Sequence, residues 1–371
     1  MIRQLLAACG ALILLTCHPV AALAQPGPPP DAASVSLSAD QNRAVVLSLA
    51  QVLRERFAFR DRGAAAAEAI EAMEARGEFR GATTAAELLA LIDSRITPVV
   101  NDRHFRVRYL GPEIMAGFSE APPSAEDITA FHEEVRLRGS EIPEVRWLDG
   151  NVGYVRITRF LDAPPTAEKM AAAMGMLADT SALIIDVRGA PGGEPAGVAA
   201  IIGHLVDRAT PTVHVADPTG APEGQTWYAE PRTPAYVGRP VYVLIDSETG
   251  SGAEEFAYDL QAMGRATLVG ETTWGGATPG GYRPLAEGFA AFIPMQIVTN
   301  TVTGTNWEGV GVLPDVEGPA DQALDVAHRL ALEAVLGEAQ GLRRAIAEEG
   351  LGGPGAARGR RLIGALRAPD R

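Results

Sequence analysis

Ser251 stands in Ile245-Asp246-Ser247-Glu248-Thr249-Gly250-Ser251-Gly252-Ala253-Glu254-Glu255-Phe256, where an apolar strand gives way to a helix. A serine at a helix N-terminus sees unpaired amide N–H groups and the positive end of the helix dipole, both of which favour developing negative charge. That suits a nucleophile whose attack creates an oxyanion. Serine is also a favoured N-cap, so this segment alone leaves both roles open. Thr249 and Ala253 stand where the nucleophile-elbow motif G-x-S-x-G requires glycine, which disfavours an ordinary α/β-hydrolase. A second segment, Asp186-Val187-Arg188-Gly189-Ala190-Pro191-Gly192-Gly193, leaves a buried strand through a Gly-Gly turn. Bare amides there could line an oxyanion hole or form a plain tight turn. A third, Trp307-Glu308-Gly309, sets a carboxylate in a Gly/Pro-punctuated loop, where it could orient a base or merely be solvated.

Other chemistries are missing from the chain. It has no HExxH, no GxxxxGK[ST], and no GxGxxG after a strand with a downstream acid. His104, His132, His204, His214 and His328 are scattered without metal-ligand spacing, so no metal and no cofactor are expected. Both cysteines fall within the first 24 residues, and Lys169 is the sole lysine. Ser/His/carboxylate chemistry remains.

These residues need elements to hold them. At 371 residues, 47% apolar and 21% charged, the chain is long enough for a sizeable core and a smaller second unit. A net charge of −14 argues against sequence-independent nucleic-acid binding. Residues 1–24 read as a signal peptide: Arg3, an apolar run from Leu5 to Leu15, and the small-x-small site Ala22-Leu23-Ala24. The apolar run is shorter than the roughly 20 residues that span a bilayer. An exported protein, periplasmic or extracellular, is expected, with no later membrane segment and lipoprotein anchoring a minor alternative. Residues 25–35 read as a Pro-rich linker, and 36–140 as an N-terminal helical module that ends in a strand-like His104 segment. Residues 141–340 alternate strand and helix patterns, as an α/β core with parallel strands does. Within them Pro211 to Gly238 reads as a long irregular insertion, and 341–371 as a Gly/Arg-rich tail.

Taken together, DVRGAPGG, TGSGAEEFAYDLQAMGRATLVGETTWGGATPGG and WEGVGVLPDV resemble the C-terminal-processing (tail-specific) serine peptidase family. The tricorn core peptidase and the repeats of interphotoreceptor retinoid-binding protein belong to the same family. The resemblance runs from about Ile96 to Val326. It implies a crotonase-like α/β core with a small N-terminal helical domain, and hydrolysis of peptide or protein substrates by a serine nucleophile. Ser251 matches that nucleophile; Gly252, Gly192 and Gly193 match the oxyanion donors. Gly276 stands where the processing branch carries its general-base lysine, and there is no room for that branch's PDZ domain. Val100-Asn101-Asp102-Arg103-His104-Phe105 resembles the D-x-H segment of the tricorn and retinoid-binding branch. His104 then matches the base and Glu308 its orienting acid. Imidazole, with an ordinary pKa of about 6.5, is also the better base at neutral pH. Arg103 occupies the slot where tricorn-type sites carry a further hydroxyl, a departure from that pattern. Arg188 and Arg283 are candidate substrate contacts. A non-catalytic carrier of retinoid or fatty acid, or an esterase or amidase using the same site, are the alternatives.

Overall fold

The computed structural model describes residues 31–118, 122–338 and 340–352. The expected signal peptide, most of the linker and the end of the tail lie outside them. Among the described residues no helix is long and apolar enough to cross a membrane.

The N-terminal helices are built on strong local signals. Helix α1 (Ala39–Arg56) opens on a reciprocal Ser38–Gln41 capping box and buries Val45, Val46, Leu49 and Leu53 on one face. It packs on α2 (Arg60–Ala75), and α3 (Ala85–Arg95), capped by Thr84, runs into the single turn α4 (Thr97–Val100). Their core is completed from far along the sequence. Strand β1 (Arg106–Tyr109) follows, then short α5 (Pro112–Ala116) and α6 (Ala125–Leu137). β1 pairs antiparallel with a strand some 180 residues on, and Leu285, Phe289, Ala291 and Ile293 from that region fill the helical core. The N-terminal helices thus share one hydrophobic core with strands from the second half of the chain.

The remaining elements are β2 (Glu144–Leu148), β3 (Val152–Arg156), α7 (Pro164–Met176), β4 (Ala182–Asp186), α8 (Pro195–Ile202), β5 (Thr210–Asp217) and β6 (Ala221–Ala229). They continue with β7 (Val241–Ile245), α9 (Gly252–Ala262), β8 (Thr267–Gly270), β9 (Gly280–Pro284), β10 (Phe289–Pro294), β11 (Ile297–Asn300), β12 (Val316–Glu317), α10 (Ala323–Glu338) and α11 (Gly341–Gly352). The central sheet has the order β12-β8-β7-β4-β3-β2, parallel except for β2. Strands β4 and β7 are buried along their whole length, as strands covered on both faces must be. One face packs against α7, α8 and α9, and the other against α10 and α11. The mixed α/β class read from the sequence is the one observed.

Two expectations are corrected. Pro211 to Gly238 is no irregular insertion: β5 and β6 form a hairpin that β11 extends to three strands. Pro211, Pro222 and Gly224 hid it, and the ladder itself carries register shifts at Pro211/His214 and Val215/Asp217. The turn is set by Asp217, whose carboxylate accepts from the Thr219 and Gly220 amides. The stretch 341–371 does not begin as a tail. Its first twelve residues form α11, which buries Ala347 and brings Gly350 against Gly150 so closely that a Cβ on Gly350 would sit 2.7 Å from the Gly150 backbone.

Candidate active site

Parallel strands β4 and β7 are neighbours, so the turns at their carboxyl ends lie side by side. The turn after β7 carries Ser251, and the turn after β4 carries Gly192 and Gly193. They are stitched together: Gly250 N–H donates to Ala190 O (2.9 Å), Gly189 N–H to the Asp246 carboxylate (3.0 Å), and the buried Thr249 hydroxyl to Val187 O (3.1 Å). Ser251 has φ 50° and ψ −120°, a conformation that disfavours any side chain. Its neighbours hold it there. The fully buried Glu254 accepts from the Ser251 N–H (2.8 Å), the Thr273 hydroxyl (2.5 Å), and the Gly275 (2.5 Å) and Gly276 (2.9 Å) amides. Burial raises its pKa above the ordinary carboxylate value, although all four donors favour the anion.

His104 arrives from the other half of the molecule. Arg62 donates to the carbonyls of Val100 and Asn101 and fixes the turn before it, where Asn101 is left-handed (φ 48°). Asp102 then accepts from the His104 amide at 2.9 Å. Pairing of Arg106 with Phe292 across β1 and β10 carries the ring into place, with Phe292 stacked on it at 5.8 Å and Trp274 edge-on at 5.0 Å. His104 Nε2 lies 3.1 Å from Ser251 Oγ. Burial, then the Arg106 charge, lowers its pKa to about 4, so the ring is neutral and free to accept a proton. The acid limb of kcat/KM is therefore expected well below the ordinary imidazole pKa: activity disappears as pH falls through the His104 value and Nε2 is occupied. A pH–rate profile whose acid limb sits at or above 6.5 contradicts this.

The expected acid is near, but it makes no hydrogen bond to the imidazole. Glu308 accepts from Ala277 N–H (2.5 Å) and Thr278 Oγ1 (3.1 Å) on one side and from Arg103 N–H (3.4 Å) on the other. It ties together the two backbone segments flanking the ring, while His104 Nδ1 is buried without a hydrogen-bond partner. Asp102 shares Thr278 with it, accepting from the same hydroxyl at 2.7 Å. A ring nitrogen of His104 and one oxygen each of Asp102 and Glu308 lie within 4.8 Å of one another. Burial, and then the Glu308 charge, push Asp102 up to about 6. Those side chains are the one set among the described residues with metal-ligand types in reach. Their lone pairs already accept backbone and Thr278 donors, which suits bracing the imidazole better than holding a cation.

Gly193 and Gly252 both line the smaller of two cavities at Ser251, and no backbone hydrogen bond among the described residues uses either N–H. Gly192 lines neither cavity; its carbonyl accepts from Phe160 N–H, and its φ of 113° makes the turn. A Cβ there would lie 2.6 Å from Gly252 N and 2.8 Å from Ser251 Cβ. Gly276, where the resemblance to the processing branch would put a lysine, has a direct steric reason to be glycine. Its Cβ would fall 2.7 Å from His104 Cε1, so a side chain at 276 and this placement of His104 exclude one another. Lys169, on α7, lines neither cavity.

Both arginine expectations are corrected. Arg188 grips buried Asp186 through Nη2 (2.6 Å) and Nε (2.9 Å) and donates to Ala320 O, so its guanidinium is spent on the fold. Arg283 lies on β9, donates to Tyr282 O and lines neither cavity. Arg106, Arg138 and Arg159 instead line the open cleft of about 1020 Å³ at Ser251, together with Glu134, Glu141, Glu194 and Glu248. Sequence reading missed Thr278, Trp274 and the bracing role of Glu254. Only Glu254 had a local signal, as the acid at the third helical position.

A serine hydroxyl against a neutral imidazole at the carboxyl edge of a parallel sheet is an arrangement of the serine-hydrolase class. The chain belongs to peptidase family S41: residues 151–318 match that family, and residues 32–139 match the N-terminal domain of peptidase S41 in eukaryotic IRBP. It is 31% identical over 163 residues to the carboxy-terminal processing protease CtpB of Bacillus subtilis, covering 41% of this chain and 32% of that protein. To the carboxyl-terminal-processing protease of Synechocystis it is 29% identical over 241 residues, covering 61% of this chain and 53% of the relative. The chain thus spans about half, or less, of these relatives' length. In fold it is similar to a candidate peptidase of Parabacteroides merdae (TM-score 0.55, 16% identity, 90% of this chain and 98% of that one). It is also similar to the photosystem II D1 C-terminal processing protease (TM-score 0.50, 15% identity, 76% and 93%).

Proposed function

We propose that this chain is an exported serine peptidase with a crotonase-type core, cleaving peptide bonds through an acyl-enzyme on Ser251. The observation that carries the reading is the 3.1 Å contact between His104 Nε2 and Ser251 Oγ, groups 147 residues apart. Neutral His104 takes the hydroxyl proton as Oγ attacks the carbonyl carbon. The amides of Gly193 and Gly252 receive the oxyanion, with Gly192 shaping the turn that aims them. The imidazolium then gives its proton to the leaving amine, which departs through the open cleft. Water, deprotonated by the same ring, releases the acyl group. Glu308 and Asp102 brace the ring and offset its transient charge from within 4.8 Å. The relatives' description as carboxy-terminal processing proteases supports protein chains as substrates. A carrier role for hydrophobic ligands has no use for this hydroxyl–imidazole pair, and the curated relatives named above are proteases. Export rests on the leader-like residues 1–24, which lie outside the described residues.

The test is labelling by a fluorophosphonate followed by peptide mapping. The adduct is expected on Ser251, with labelling lost in Ser251→Ala and at least tenfold slower in His104→Ala. Equal labelling of wild type and Ser251→Ala would sink the assignment.

A further inference from the structure

Beside Ser251, adjoining the open cleft, lies a smaller and less open cavity of about 70 Å³. Gly193, Gly252 and Ser251 line it, and Val215, Trp227, Val298 and Trp307 supply apolar wall. One lining residue does not belong there. Glu255, on the first turn of α9, is 3% exposed, and its Oε1 has no hydrogen-bond partner. One turn further on, Asp259 is fully buried, with Asn300 Nδ2 donating to Oδ1 at 2.7 Å and Oδ2 without a partner. Among the described residues no ion pair reaches either acid. Burial, and for Glu255 also the Asp259 charge, raise both pKa values, Asp259 to about 8. Two buried acids in one another's field cannot both ionise cheaply, so the pair lowers stability, and the Asn300 contact serves Asp259 while leaving Glu255 Oε1 unmatched. Buried, perturbed acids of this sort are characteristic of sites that meet a ligand.

We infer that Glu255 reads the side chain on the acyl side of the cleaved bond, and that this side chain is a slender cation, lysine foremost. The inference rests on the acyl-enzyme reading above. The acyl group sits where the oxyanion amides are, and these line the smaller cavity, whereas the leaving chain needs the open cleft to depart. Val215 and Val298 suit a methylene stem, and the indoles of Trp227 and Trp307 tolerate a cation at their faces. A volume of about 70 Å³ admits a narrow chain. At its end the ammonium meets the unpartnered carboxyl, and the proton that the acid pair held passes to solvent as the ion pair forms.

Peptidyl coumarylamides that differ only at the acylated residue provide the test, with lysine set against norleucine, which keeps the stem and loses the charge. Wild type is expected to favour lysine at least tenfold in kcat/KM. Glu255→Gln should narrow the preference to within a few-fold, and Glu255→Leu should reverse it. Both variants should unfold at or above the wild-type temperature, because a buried acid without a partner is removed; a purely structural Glu255 would lower it. Norleucine equal to lysine in wild type, or a preference untouched by Glu255→Leu, overturns the inference and leaves the peptidase reading standing. If no amide is cleaved, the peptidase reading fails. Calorimetry on Ser251→Ala with peptide acids ending in lysine or norleucine then decides: tighter binding of the lysine acid sustains the inference, and equal affinity overturns it.

Discussion

Ser251→Ala is expected to reduce kcat/KM by about 10⁴-fold or more, leaving only what the oxyanion amides and substrate binding contribute. KM should change little, since the hydroxyl is one small group in a cleft lined by many residues. His104→Ala should fall nearly as far, and the double variant little further, because hydroxyl and imidazole act as one unit. Folding provides the control. The backbone at residue 251 has φ 50° and ψ −120°, where any Cβ is strained. Ser251→Gly should therefore be as inactive as Ser251→Ala yet more stable than it, by about 1 kcal/mol. Denaturant unfolding of the two variants beside steady-state assays makes the comparison. Activity in Ser251→Ala within tenfold of wild type would move the nucleophile elsewhere.

Glu254→Ala should cost more stability than any other single change near the site. It removes a buried carboxylate that accepts from Ser251, Thr273, Gly275 and Gly276 and leaves four donors facing apolar surroundings. At roughly 1–3 kcal/mol for each unsatisfied group, with partial relaxation, a loss of about 3–5 kcal/mol is expected. That approaches the whole stability of many domains. Glu254→Gln is the informative companion. Its amide oxygen can accept from one pair of donors, but its NH₂ must face the other pair, N–H against N–H. Intermediate stability is expected, with kcat lowered at least tenfold, because the segment bearing Trp274 and Gly276 is what holds the His104 ring. Thermal unfolding measured beside kcat tests both. A Gln variant with wild-type melting and turnover would show that the carboxylate is not the brace described here.

What the sequence determined is what backbone chemistry dictates within a few residues. Thr84 and Ser124 start helices because a hydroxyl there meets unpaired amides, and although the Ser38 cap was not singled out, these two starts were legible. So were the buried strands Ala182–Asp186 and Val241–Ile245, whose short apolar runs between turn residues suit a covered sheet. Ser251 between two glycines at a helix start was also readable, whereas His104 as the base came only from the resemblance to a family, through Gly276 in the lysine slot. The hairpin from Thr210 to Ala229 was not readable, since its prolines and bulges imitate a loop and its pairing is settled by packing against β11. Nor could spacing tell that Arg188 would be held by Asp186 and Ala320 O, or that Glu308 would grip backbone rather than the ring it was expected to orient. Those outcomes depend on which groups meet after chain segments more than a hundred residues apart have packed. A hydrogen bond is decided by tenths of an ångström, and only the assembled core fixes positions that finely.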